Sequence, residues 1–156
     1  MKIGIMGGTF NPIHNAHLLI AEMAREEYGL DRVIFITDGN PPHKSANVTA
    51  QQRFEMTHIA IADNSAFEED DFEINRSEKS YTVNTLGYLK EKYPNDNLFF
   101  IIGEDSLNDF DKWYKPDKIL EMCSLLVFPR KSLKSLTETV KAVKEKMNGR
   151  IFPTGR

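Results

Sequence analysis

The chain contains a single cysteine, Cys123, so an intrachain disulfide is excluded and CxxC-type metal and redox motifs are absent. No 18 consecutive apolar residues occur, and the sequence therefore offers no transmembrane helix. The opening Met1-Lys2-Ile3-Gly4-Ile5-Met6 reads as a strand, too short an apolar run for a signal peptide, and the cytoplasm is the expected compartment. Positive charge is scarce as well: 20 Lys and Arg stand against 23 Asp and Glu, for a net charge of −3. That balance argues against a general nucleic-acid binder, which carries a basic stripe. A small anionic substrate remains compatible with it, because a local cluster of donors binds phosphate on an acidic protein. Linkers rich in Pro, Gly or Ser, internal repeats and low-complexity tracts are also missing, so the 156 residues are expected to form one domain.

Short apolar runs alternate with longer amphipathic stretches. The expected strands are Lys2–Met6, Val33–Thr37, Asp71–Asn75, Leu98–Ile102, Ser124–Phe128 and a last one opening at Arg150–Phe152. The expected helices are 16–28, ended by Gly29; a segment capped by Thr49 and running to Ala62; Thr82–Lys92; and Leu133–Met147, with Gly149 at its C-cap. Leu98–Ile102 is all large and apolar, the mark of a central strand covered on both faces. The acidic run Glu68-Glu69-Asp70-Asp71 reads as a solvated loop. Strands alternating with helices predict a single-domain α/β fold: a doubly wound, Rossmann-like parallel sheet with helices on both faces. Ligands of such sheets bind beyond the carboxyl ends of the strands, where the strand order reverses.

Gly7-Gly8-Thr9-Phe10-Asn11-Pro12-Ile13-His14-Asn15-Ala16-His17 occupies that place, between the first strand and the first helix. Two glycines after a strand let a ligand reach the backbone without meeting a Cβ. His14 and His17 lie three apart at a helix start, so both project from one face beside the helix's free amides and positive end. Neither GxxxxGK(S/T) nor GxGxxG is present. Taken alone, His-x-x-His fits phosphate binding, a tight turn with two surface imidazoles, or part of a metal site for which no further ligands cluster. The whole string closely resembles the signature of the nucleotidyltransferase superfamily, with Ala16 where the family's His-x-Gly-His has glycine.

Further strings resemble the nicotinate-nucleotide adenylyltransferase branch. They are Asn40-Pro41-Pro42-His43-Lys44; Glu73-Ile74-Asn75-Arg76 leading into Ser80-Tyr81-Thr82-Val83-Asn84-Thr85; Gly103-Glu104-Asp105; and Lys112-Trp113-Tyr114. Phe128-Pro129-Arg130 matches a family position with an arginine, and the resemblance spans residues 3 to about 130. Ser80, Thr82 and Asp105 fit plain helix caps equally well, and Trp113, the sole tryptophan, fits a core filler. The resemblance implies transfer of AMP from ATP to nicotinate mononucleotide, giving nicotinate adenine dinucleotide and pyrophosphate. It implies ATP and phosphate contacts from Gly7, Gly8, Thr9, Phe10, His14, His17, His43, Lys44, Gly103 and Asp105, with His17 at the α-phosphate and His14 beside it as the catalytic pair. Thr85, Trp113 and Tyr114 are implied at the nicotinate mononucleotide, the indole stacked on its ring.

A phosphate nucleophile is already ionised, so no general base is required and the work is positioning and charge stabilisation. Mg²⁺ is implied, carried by ATP and waters and not by protein side chains. Sister adenylyltransferases acting on nicotinamide mononucleotide or pantetheine phosphate, and a nucleotide-binding domain without turnover, are the alternatives. Family members continue through an Ile-Ser-Ser-Thr-x-Ile-Arg string to a closing helix, and no Ser-Ser/Thr-x-x-Arg string stands near Arg156. The expectation is a nucleotidyltransferase domain over 1–156 lacking that element, with weakened nucleotide binding and association between copies of the chain.

Overall fold

The computed structural model describes residues 1–8, 10, 13–39, 49–76, 81–129 and 133–154. Within them the order is β1 (Lys2–Gly8), α1 (Asn15–Tyr28), β2 (Arg32–Thr37), α2 (Ala50–Ile61), β3 (Phe67–Asp70), α3 (Thr82–Lys92), β4 (Asn97–Gly103), α4 (Glu104–Asn108), α5 (Pro116–Met122), β5 (Ser124–Phe128), α6 (Leu133–Lys146) and β6 (Ile151–Pro153). A single 3-10 turn, Phe110–Lys112, joins α4 to α5. The strands form one parallel sheet in the order β3-β2-β1-β4-β5-β6, the doubly wound arrangement expected from the sequence.

Alternation along each strand divides the core between the two faces of the sheet. Ile3, Ile5, Phe100 and Leu125 lie on one side, packed with Leu86 and Leu89 of α3 and Leu136 of α6. Met6, Phe35, Ile101 and Leu126 lie on the other, with Ala21 and Ala24 of α1 and Ile61 of α2. Small side chains on α1 let that helix approach the sheet closely. Gly29 ends it with φ 63°, a left-handed conformation that favours glycine. Thr49 caps α2 reciprocally: its Oγ1 accepts from the Gln52 amide at 3.1 Å, and Gln52 Oε1 accepts from the Thr49 amide at 2.9 Å.

Five sequence expectations are corrected. The third strand is Phe67–Asp70, and 71–75 forms turns after it, so the acidic run read as a solvated loop is mostly an edge strand. Its charges have distant partners: Arg32 binds Glu68 at 3.1 Å, His58 binds Glu69, and Lys92 Nζ and Tyr88 Oη donate to Asp70 at 3.1 and 3.0 Å. Edge strands carry charge in this way to discourage further pairing. Gly149 is not a C-cap: φ is not left-handed, and a Cβ there would lie 2.7 Å from Leu120 Cδ2, so it serves close packing. The N-cap of α3 is Tyr81 and Thr82 is its first helical residue, whereas α4 takes Gly103 as N-cap with Asp105 in its first turn. Helices α4 and α5, five and seven residues long, are too short for a 3.6-residue period to show.

Candidate active site

β1 and β4 are paired only from Lys2–Asn97 to Ile5–Phe100. Beyond that rung β1 follows β2 as far as Gly8, and β4 follows β5 as far as Gly103. The two central strands therefore part at their carboxyl ends, at the point where strand order reverses, and a cleft of about 390 Å³ opens between them. Gly7, Gly8 and His17 line one wall, with Asp38, Glu73, Thr82, Thr85, Gly103, Ser106, Trp113 and Phe128 around the rest.

His17 is set by the start of α1. The His14 amide donates to His17 Nδ1 at 3.0 Å, which makes that nitrogen the acceptor and leaves the proton of a neutral ring on Nε2. Burial, and secondarily the neighbouring His14, hold the His17 imidazole below its ordinary value. Phe10 meets the His17 ring edge-on at 5.3 Å, and the exposed His14 stacks on it at 5.7 Å with an interplanar angle of 15°. Phe10 has φ 49°, left-handed for a bulky residue, and its side chain is buried against Phe35. Its ring backs the histidine and is not part of the cleft wall.

The part of the cleft beside Gly8 is held by hydrogen bonds from several elements. The Asp38 amide donates to the Gly8 carbonyl at 2.8 Å, and the buried Arg53 of α2 donates to the Asp38 carbonyl at 2.6 Å. Asp70 accepts from the Phe72 amide at 2.9 Å as well as from Lys92 and Tyr88, which fastens the 71–75 turns to α3. Glu73 thereby faces the start of α3, where Thr85 Oγ1 donates to its Oε2 at 2.6 Å. Burial pushes the Glu73 carboxyl up to about 7, Asp38 adding to the rise while Thr85 and Arg76 oppose it.

Trp113 follows the 3-10 turn and its amide donates to the Phe110 carbonyl at 3.1 Å. Its half-buried ring packs on Phe110 at 5.0 Å and Phe100 at 6.1 Å and also lines the cleft, so it is core filler and cleft wall at once. Tyr114 is exposed, its ring 4.7 Å from that of Tyr81 and outside the cleft lining; Asp105 is exposed on α4 and outside it too. Of the sequence-derived candidates, the cleft wall includes Gly7, Gly8, His17, Thr85, Gly103 and Trp113. Thr9, His43, Lys44, Ser80 and Arg130 lie outside the described residues.

The profile of the cytidylyltransferase-like family matches residues 5–149. A protein of Citrifermentans bemidjiense named as a probable nicotinate-nucleotide adenylyltransferase is 47% identical over 144 residues, 90% of this chain and 67% of that protein. One of the same name from Geobacter sulfurreducens is 50% identical over 132 residues, 83% of this chain and 61% of that one. The chain belongs to this family of nucleotidyltransferases. It spans about three fifths to two thirds of the length of these relatives. The fold also matches that of the Plasmodium falciparum nicotinic acid mononucleotide adenylyltransferase complexed with NaAD, at a TM-score of 0.77 and 21% identity, over 99% of this chain and 76% of that one.

Three polar cleft residues are not singled out by sequence reasoning: Asp38, Glu73 and Ser106. In the sequence Glu73 belongs to a family-like stretch with no role of its own, and Asp38 stands in the turn-forming Asp38-Gly39-Asn40-Pro41-Pro42. Burial decides their chemistry, and no local pattern encodes it. No helix among the described residues is long and apolar enough to cross a membrane.

Proposed function

We propose that the protein transfers the AMP moiety of ATP to the phosphate of nicotinate mononucleotide, releasing pyrophosphate and forming nicotinate adenine dinucleotide in the cytoplasm. The observation that carries this reading is a single cleft at the β1/β4 parting with two unlike ends: Gly7, Gly8 and His17 at the start of α1, and Thr82, Thr85 and Trp113 beside the start of α3. The first end suits phosphates, through backbone close approach, helix amides and an imidazole N–H. The second suits a flat ring bearing an anionic group, through an indole and helix amides.

His17, its Nδ1 occupied by the His14 amide, directs Nε2–H toward the phosphoryl group being transferred and stabilises charge as pyrophosphate departs. His14, the glycine pair and Thr9 position the remaining phosphates, joined by His43 and Lys44. Gly103 and Asp105 serve the adenosine side, Thr85 marks the place where the pyridine carboxylate meets backbone amides, and Tyr114 contributes its backbone amide there. Mg²⁺ would enter with ATP, held by phosphate oxygens and waters. When bound, that cation neutralises charge on the β- and γ-phosphates.

The test is to incubate the protein with ATP, Mg²⁺ and each acceptor in turn: nicotinate mononucleotide, nicotinamide mononucleotide and pantetheine phosphate. Pyrophosphate and the adenylylated product are measured. Fastest turnover with the acid mononucleotide is the expected result, and turnover with pantetheine phosphate alone would overturn the reading. Trp113→Ala should weaken binding of nicotinate mononucleotide by roughly tenfold, given a cation–π contribution of about 1 kcal/mol plus lost contact area, with ATP affinity little changed. Calorimetric titration with each nucleotide separately checks this, and equal losses would make Trp113 a structural residue.

A further inference from the structure

Among the described residues Glu73 is the one cleft carboxyl that touches the start of α3, and the function proposed above gives it no task. Three observations fix its setting. Its Oε2 accepts the Thr85 hydroxyl at 2.6 Å, so the carboxyl sits against the first turn of α3. Its backbone is clamped from behind, where the Glu73 carbonyl lies so near Gly39 that a Cβ on the glycine would stand 2.1 Å away. The Asp38 carboxylate, in the same cleft, repels its charge.

We propose that Glu73 determines the choice between acid and amide pyridine mononucleotides, its neutral carboxyl admitting a carboxylate at the start of α3 and its ionised form favouring a carboxamide. The inference rests on the reading of this cleft as a pyridine-mononucleotide site. A carboxylate ligand brings a second negative charge beside Glu73, which only the protonated acid tolerates and can meet with an O–H donor. A carboxamide brings an NH₂ donor, which an ionised, acceptor-only carboxylate satisfies.

Charged and titratable groups face Glu73 from three sides among the described residues. Asp38 at the end of β2 raises its value, Arg76 on its own turn lowers it, and His17 of α1 lines the same cleft. With the carboxyl raised to about 7, both forms are populated near neutrality.

The first measurement needs no ligand. A carboxyl that binds its proton more tightly folded than unfolded loses stability as pH rises from its unfolded value, about 4.5, through its folded one, about 7. Thermal melts of the parent and Glu73→Gln should therefore diverge over that interval, the parent becoming the less stable above pH 7. The glutamine keeps an acceptor for Thr85 and carries no charge.

Next, affinities for nicotinate and nicotinamide mononucleotide are measured by calorimetry between pH 5.5 and 8.5. The phosphate titrates alike in both ligands, so the ratio of the two affinities isolates the ring substituent. In the parent, the acid-to-amide ratio should fall at least roughly tenfold across the range, because a like charge brought into close contact costs several kcal/mol. Glu73→Gln should hold the ratio flat at its acidic-pH value. Asp38→Asn, by removing a repelling charge, should move the midpoint of the fall to lower pH. A flat ratio in the parent, or the same slope in Glu73→Gln, overturns the proposal while leaving the adenylyltransferase reading intact. Failure of both mononucleotides to bind at any pH overturns the two together.

Discussion

Replacing His17 by alanine should leave the protein folded and reduce turnover by about 10²–10³, the usual cost of removing one preorganised donor. The side chain is half-buried in the cleft wall beside the Phe10 and His14 rings, and it belongs to neither core cluster. Its one described hydrogen bond accepts a backbone amide at a helix start, which water can replace after truncation. The expected loss therefore falls on kcat, with ATP binding affected less, since the N–H matters most where negative charge grows during transfer. Steady-state kinetics on the variant, with circular dichroism and a melting curve as the folding control, decide the matter. Near-parental kcat in a folded variant would remove His17 from the chemistry.

A second large effect is expected on stability, from Gly39→Ala. A methyl group there would stand 2.1 Å from the Glu73 carbonyl oxygen, 2.7 Å from its carbon and 2.8 Å from the Ile74 Cα, all backbone atoms with no rotamer to escape into. Neither partner yields easily. The 38–39 segment is tied by the Asp38 amide to Gly8 and by the Asp38 carbonyl to Arg53, and the 71–75 turns are tied by Asp70 to Lys92 and Tyr88. A loss of about 3 kcal/mol is expected for such overpacking, or a fall in Tm of roughly 6–12 °C for a chain of this size. Differential scanning calorimetry measures it, and an unchanged Tm would mean that the two segments stand further apart in solution. Because Glu73 is carried by one of those segments, the variant should also weaken its contact with Thr85.

The fold was legible where side-chain period and burial coincide. Leu98–Ile102 announced a central strand, and β4 sits beside β1 in the middle of the sheet. Thr82–Lys92 and Ser124–Phe128 were read with the boundaries the structure gives them. At 68–70 the sequence suggests a loop because charge hides burial: the partners that settle Asp70 on the sheet edge, Tyr88 and Lys92, lie 18 and 22 residues away. No window of local sequence contains them together. Helix α5 carried a signal that was passed over, a proline at its first position followed by an acidic residue. At the site, the glycine pair and His17 were legible because a strand end meeting a helix start is a local event. Glu73 and Asp38 were not, since their character comes from three separate connections meeting at one end of the sheet.

The short pairing between β1 and β4 has a further consequence. Their shared ladder stops at Ile5 and Phe100, so the rims Met6–Gly8 and Ile101–Gly103 face each other with no rung between them. The sheet is in effect two three-stranded halves sewn together along part of one seam. The cleft borders both rims, Met6–Gly8 on one half and Ile101–Gly103 on the other, so a ligand held there touches the two halves where their own backbones do not meet.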